Sequence, residues 1–149
     1  MKYEYLEFLC CPECKSGMTL KSTKENNEKV KEGLLECSNC KAQFEVKNYI
    51  PRFVSQKGYA DSFGNQWKAF AKSQIDTDLI KESSLRFDTE IGWSSVELEN
   101  SKVLEIGSGA GRFIEVISSK RVSLVIGMDI TDAVDASQEN IGHKENVFF

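Results

Sequence analysis

The sequence predicts an α/β chain: a small cysteine-bearing β domain, a helical linker, and the incomplete first part of a parallel sheet with crossover helices. Three observations predict it. Two C-x-x-C pairs, Cys11-Pro-Glu-Cys14 and Cys37-Ser-Asn-Cys40, stand near the N-terminus. A short apolar run (Val103, Leu104, Ile106) stops at Gly107, Gly109 and Gly111, then passes into a helical pattern with Phe113, Val116 and Ile117 on one face. A second apolar run, residues 122–128, ends in Asp129. The expected divisions are residues 1–55, 56–100 and 101–149.

Composition sets the outer limits. At 149 residues, 40% hydrophobic and 28% charged, the chain reads as an ordinary folded protein of one or two small domains. A net charge of −4 argues against broad electrostatic binding to nucleic acid. No apolar run approaches the ~20 residues that span a bilayer. The first residues, Met1-Lys-Tyr-Glu-Tyr-Leu-Glu7, carry acids where a signal peptide carries bases. The expected location is therefore cytoplasmic, and there cysteines read as metal ligands rather than disulfides.

Taken in order, the cysteines come first. Four thiolates, Cys11, Cys14, Cys37 and Cys40, form the ligand set of a closed tetrahedral zinc site. The 22 residues between the pairs exceed the usual ~15–20, which a longer hairpin absorbs. Residues 21–32 are nearly all polar and are expected to form its exposed tip. Cys10 is left as a spare thiol. All-sulfur coordination leaves no open position, so Zn2+ here is expected to be structural.

The segment between the cysteines and the glycines is polar and aromatic. Phe63, Gln66, Trp67 and Phe70 recur at helical spacing, with Asp61 or Ser62 as a cap. Leu79, Ile80, Leu85, Phe87, Ile91 and Trp93 suggest further short helices.

The glycine stretch then reads as strand, turn, helix, the layout of a nucleotide-binding crossover. The dinucleotide fingerprint G-x-G-x-x-G places a third glycine where this chain has Arg112, too bulky for close helix–strand packing. Glu105 sits in the strand two residues before the first glycine, and a carboxylate there can meet an ammonium group. Asp129 follows Gly107 by 22 residues, near the ~20 expected of an acid on ribose hydroxyls. An α-amino acid and a ribose on one ligand describe S-adenosylmethionine better than NAD. Asp132 and Asp135 begin the next helix, where acids suit the dipole. His143, the only histidine, falls in the loop after it.

Val103-Leu-Glu-Ile-Gly-Ser-Gly-Ala-Gly-Arg-Phe113 resembles motif I of the class I S-adenosylmethionine-dependent methyltransferases, and Val125-Ile-Gly-Met-Asp-Ile130 resembles their second strand. The resemblance implies a Rossmann-like methyltransferase domain. It places Glu105, Gly107, Ser108, Gly109 and Gly111 around the methionyl part, Asp129 on the ribose, and Ile130 against the adenine. Residues 9–15, the second cysteine pair and Phe44-Glu-Val-Lys-Asn-Tyr-Ile-Pro-Arg-Phe53 resemble the Trm112-type zinc ribbon, where Gly-Ile-Pro usually stands in place of Tyr49-Ile50-Pro51. Such ribbons occur as methyltransferase activators and as fusions to them, and helices like those of the linker can lid the cofactor pocket.

A full sheet of that family has seven strands. Residues 147–149 read as the start of a third, so the chain looks like an N-terminal portion, inactive alone, with an unpaired sheet edge open to self-association. The methyl acceptor and catalytic residues are not legible. The alternative is a non-catalytic zinc-ribbon module that docks on or regulates a partner methyltransferase.

Overall fold

The computed structural model describes residues 1–54, 72, 74–93 and 95–149. They fall into two units, Met1–Ser55 and Gln56–Phe149.

The first unit opens with a 3-10 helix, Tyr3–Phe8, and continues as a four-stranded antiparallel sheet. Its strands, β1 (Met18–Asn26), β2 (Lys29–Cys37), β3 (Gln43–Lys47) and β4 (Ile50–Arg52), follow one another in sheet order. β1 and β2 pair up to Asn26↔Lys29, leaving only Asn27 and Glu28 in the turn. Both have positive φ (49° and 61°), the requirement of a two-residue turn whose twist matches the strands. The same device joins β3 to β4 through Asn48 and Tyr49 (φ 52° and 69°). Tyr49 is thus a left-handed tyrosine, whose hydroxyl accepts a hydrogen bond from Asn26 Nδ2 at 3.1 Å.

Residues 21–32 form the turn end of the β1–β2 hairpin and are mostly exposed, as expected, with one exception. The strands run through them, and Val30 is wholly buried. Val30 exchanges hydrogen bonds with Met1: its N–H donates to the Met1 carbonyl at 2.7 Å, and the Met1 amine donates to the Val30 carbonyl at 2.6 Å. The polar composition concealed one apolar residue facing a core of Tyr5, Met18, Leu35, Val46 and Ile50.

The second unit carries helix α1 (Glu82–Glu90), a single turn α2 (Ser95–Leu98), then β5 (Lys102–Ile106), α3 (Arg112–Ser118), β6 (Leu124–Met128), α4 (Ala133–Ile141) and β7 (Val147–Phe148). The three strands are parallel, in the order β5-β6-β7. This is the expected α/β layout, a partial Rossmann-like sheet following a sulfur-bearing β unit. α1 packs on α3, with the Phe87 and Phe113 rings 6.2 Å apart and Phe87 wholly buried. Lys120 completes the contact, pairing with Asp88 at 2.7 Å and lying 5.0 Å over the Phe87 ring.

Along β5, residues alternate between faces. Val103 and Glu105 turn to the half-buried side, while Leu104 and Ile106 are exposed, Ile106 by 76%. Ile91 and Trp93 are also half exposed, and Leu79 and Ile80 precede α1 rather than entering it. The aromatic helix expected around Phe63, Gln66, Trp67 and Phe70, with its Asp61 or Ser62 cap, lies outside the described residues. Among those residues, no helix is long and apolar enough to cross a membrane.

Candidate functional site

The four cysteines converge. Their sulfurs all lie within 4.8 Å of one another, with Cys11 Sγ 3.6 Å from Cys40 Sγ and Cys14 Sγ 3.4 Å from Cys37 Sγ. A regular tetrahedron of sulfurs at about 2.3 Å from zinc has edges of about 3.8 Å, so the donor set and its size both suit the ion.

Local structure explains the convergence. Each pair sits on a tight turn that ends in a left-handed lysine, Lys15 (φ 63°) after the first pair and Lys41 (φ 64°) after the second. Cys11 N–H donates to the Ser16 carbonyl at 2.8 Å, and Cys37 N–H donates to the Ala42 carbonyl at 2.9 Å, an equivalent contact. Each lysine ammonium bonds back to the carbonyl three residues earlier, Pro12 at 2.8 Å and Ser38 at 3.2 Å. Cys10 stands apart, exposed and bridged to Gly17.

Crowding four thiols splits their acidities. Hydrogen bonds from the Ser16 hydroxyl and N–H, aided by Cys37, pull Cys14 down to about 5. The Ala42 N–H favours ionised Cys40, but the neighbouring Cys14 and Cys37 sulfurs outweigh it and push Cys40 up to about 12.

The glycine turn lies at the C-terminal ends of β5 and β6. Gly107, Gly109 and Gly111 all have positive φ (79°, 53° and 87°), which explains the glycines. Most of the N–H groups in this turn are committed inside the fold. Those of Gly107 and Ser108 donate to the Met128 carbonyl at 2.8 and 3.1 Å, and that of Gly111 donates to the Ser108 carbonyl at 2.8 Å. The Gly109 N–H donates to Asp129 Oδ2 at 2.8 Å. Asp129 Oδ1 accepts the Thr131 N–H at 2.8 Å and the Thr131 hydroxyl at 2.7 Å.

Glu105 lies half-buried on the same side. Burial drives its carboxyl up to about 7; a hydrogen bond from the Ile114 N–H opposes this, and the nearby Asp129 charge adds to it. Glu105 Oε2 and the Ser108 hydroxyl are buried with no hydrogen-bond partner among the described residues. Such orphans are costly and mark places where a ligand group would fit.

The three glycines do different work. A Cβ at Gly107 would meet nothing within 4 Å, so that glycine faces open space. A Cβ at Gly111 would fall 2.4 Å from Ile141 Cδ1 and 3.1 Å from Ser137 Oγ, so that glycine seats α4 against the loop. Arg112 turns toward α1, its Nε donating to Ser83 Oγ at 3.3 Å with Glu82 4.0 Å from Nη2. Ile130 is exposed beyond Asp129, and His143 is exposed after α4. Sequence reasoning missed Ser137 and Asn140 of α4, which touch the loop. Their only local signal was polarity on a helix face otherwise apolar.

The fold and site define a ribbon bearing a four-sulfur centre, with a partial nucleotide-type α/β sheet beyond it. The family model described as "Cytokinin dehydrogenase 1, FAD and cytokinin binding" matches residues 6–81, 76 of 149 and so just over half, and by that match the chain belongs to that family. The matched stretch crosses the division between the units, contains all four cysteines and stops before the glycine turn. Its described part folds mainly as the four-stranded sheet that carries the four sulfurs.

Among solved structures, the chain is similar to one from the Haloferax volcanii complex between the Trm112 methyltransferase activator and the candidate methyltransferase. Identity there is 24%, over 37% of this chain and 93% of that one, with a TM-score of 0.35. It is also similar to Haemonchus contortus phosphoethanolamine N-methyltransferase 1 in complex with phosphoethanolamine and S-adenosylhomocysteine. Identity is again 24%, over 64% of this chain, with a TM-score of 0.39. The chain spans 22% of that enzyme's length. Both likenesses concern fold alone. No curated protein matches the chain.

Proposed function

We propose that residues 101–149 carry the cofactor-binding portion of an S-adenosylmethionine-dependent methyltransferase, preceded by a structural zinc ribbon over residues 1–55 and a linker over 56–100. The observation that carries this reading is the pair of carboxylates at the glycine turn. Glu105, one residue before the end of β5, has a buried oxygen lacking a partner among the described residues, and Asp129 follows β6 bound to the turn itself.

The chemistry favours a cationic ligand. A pyrophosphate, in NAD or FAD, requires free N–H groups at the turn. Here those of Gly107, Ser108, Gly109 and Gly111 are already engaged. An ammonium group, in contrast, would satisfy Glu105 Oε2 and stabilise the ionised carboxylate. Gly107 would admit the ligand's methionyl part, Ser108 would offer its hydroxyl, Gly109 and Gly111 would shape the loop, and Ile130 would cover the adenine. S-adenosylmethionine supplies a sulfonium methyl to an acceptor, here unidentified. These residues would bind and orient it for in-line displacement, with no proton to move at this end of the site. Cys11, Cys14, Cys37 and Cys40 would hold Zn2+ as a closed, non-catalytic centre.

Calorimetry of the chain with S-adenosylmethionine, S-adenosylhomocysteine, NAD and FAD tests the reading. Binding of the first two and not the others is expected; tighter binding of NAD or FAD would overturn it. A second reading, a ribbon module that docks on a partner methyltransferase, is favoured by the division of residues 1–55 as a unit. Absence of all binding by the glycine turn, with metal retained in the ribbon, would select it.

A further inference from the structure

We infer that helix α4 positions the glycine loop, through Ser137 and Asn140. This rests on the reading of that loop as the cofactor turn. Three residues on one face of α4, at helical spacings of three and four, meet three consecutive loop residues. Ser137 Oγ donates to the Gly109 carbonyl at 2.6 Å, and Asn140 Nδ2 donates to the Ala110 carbonyl at 3.2 Å. Ile141 fills the space a side chain at Gly111 would need.

Ser137 is wholly buried, yet it stands on a helix face whose other buried members are mostly apolar. A hydroxyl there is costly unless paired, and its partner is the loop carbonyl. Gly109 is thereby held from both directions. Its N–H donates to Asp129 at the end of β6, and its carbonyl accepts from Ser137 one crossover later. With the carbonyls of Gly109 and Ala110 drawn toward α4, the loop cannot rotate its peptides without breaking a buried bond. The element that fixes the loop's shape is thus the second crossover helix, about 30 residues downstream. Ser137 and Asn140 are positioning residues that act through the loop.

Ser137→Ala and Asn140→Ala test this in the full chain, by amide hydrogen exchange and by calorimetry with S-adenosylhomocysteine. Both variants are expected to speed exchange at Gly109 and Gly111 by roughly tenfold, leaving the β6 amide of Val125 unchanged, as loss of local rather than global protection requires. Affinity for S-adenosylhomocysteine should fall about three- to tenfold, the size of one lost hydrogen bond. Unchanged exchange at the glycines, a uniform rise that includes Val125, or a loosened loop with full affinity would each overturn the inference. If Ser137→Ala does not fold, Asn140→Ala decides, since that side chain is only partly buried. If the unaltered chain binds no S-adenosylhomocysteine, the cofactor reading falls while the exchange pattern still decides the role of α4.

Discussion

Asp129 reaches back from the end of β6 to Gly109, accepting its N–H at 2.8 Å, while the other carboxylate oxygen accepts both the N–H and the hydroxyl of Thr131. A carboxylate offers about four lone-pair sites, and three are in use. The ribose contact expected of this acid therefore has room for one hydroxyl before Thr131 must give way. Asp129 shapes the loop as much as it would hold a sugar.

Replacing Asp129 by alanine should weaken S-adenosylmethionine binding by about 1.5–3 kcal/mol, roughly ten- to a hundredfold. It should also free the Gly109 amide, so the affinity loss and faster Gly109 exchange should appear together. Calorimetry and exchange on one sample check this. A loss of affinity with Gly109 still protected would assign Asp129 to the ligand alone.

Glu105 makes stability depend on pH. Its carboxyl titrates near 7 in the folded chain, above the ordinary value of 4.5, because burial disfavours the charge. The unfolded chain therefore ionises first as pH rises. The folded state is unpenalised below about pH 4.5, loses stability between about 4.5 and 7, and stays penalised above that. Allowing for solvent screening, the loss is about 2 kcal/mol. Denaturant titrations from pH 5 to 8 should show this slope, and Glu105→Gln should reduce it and be the more stable protein at pH 8.

The glycines should separate by cost. Gly111→Ala puts a methyl 2.4 Å from buried Ile141 at a φ of 87°, so both overpacking and backbone strain apply, about 2–4 kcal/mol together. Gly107→Ala meets open space and carries only the strain, about 1 kcal/mol. Thermal unfolding of the two variants should rank them so. Calorimetry should show the opposite emphasis for Gly107, whose new methyl projects into space assigned to the ligand.

The ribbon should take up one Zn2+ per chain and release protons as it does so, because zinc binds thiolates while the neighbouring sulfurs push the Cys40 thiol up to about 12. Cys37→Ser should abolish binding, whereas Cys10→Ser should leave it intact. Elemental analysis and pH-stat titration measure both. Metal retained after Cys37→Ser, or lost after Cys10→Ser, would redraw the ligand set.

Features set by local chain chemistry were legible in the sequence. Cys11, Cys14, Cys37 and Cys40 announced themselves by spacing, and Gly107 by its place after an apolar run. What escaped was long-range. Val30 lies in a polar stretch, and only its complete burial in the folded chain shows why one valine is there. That Gly111 also seats α4 is not legible, because the motif alone cannot show that Ile141, 30 residues on, occupies its flank. Ser137 and Asn140 had no spacing to betray them, since a hydroxyl or amide on a helix becomes informative only when its distant carbonyl is known.

Six residues of the ribbon outside glycine have left-handed backbones: Lys15, Asn27, Glu28, Lys41, Asn48 and Tyr49. Asparagine tolerates that conformation, but for the other four it costs about 1–2 kcal/mol apiece. Half of that cost, at Lys15 and Lys41, is loaded like a spring into the two turns that bring the sulfurs together. A bound ion would serve as the catch. Withdrawing it would release Lys15 and Lys41 at once, so the ribbon should let go abruptly rather than soften by degrees.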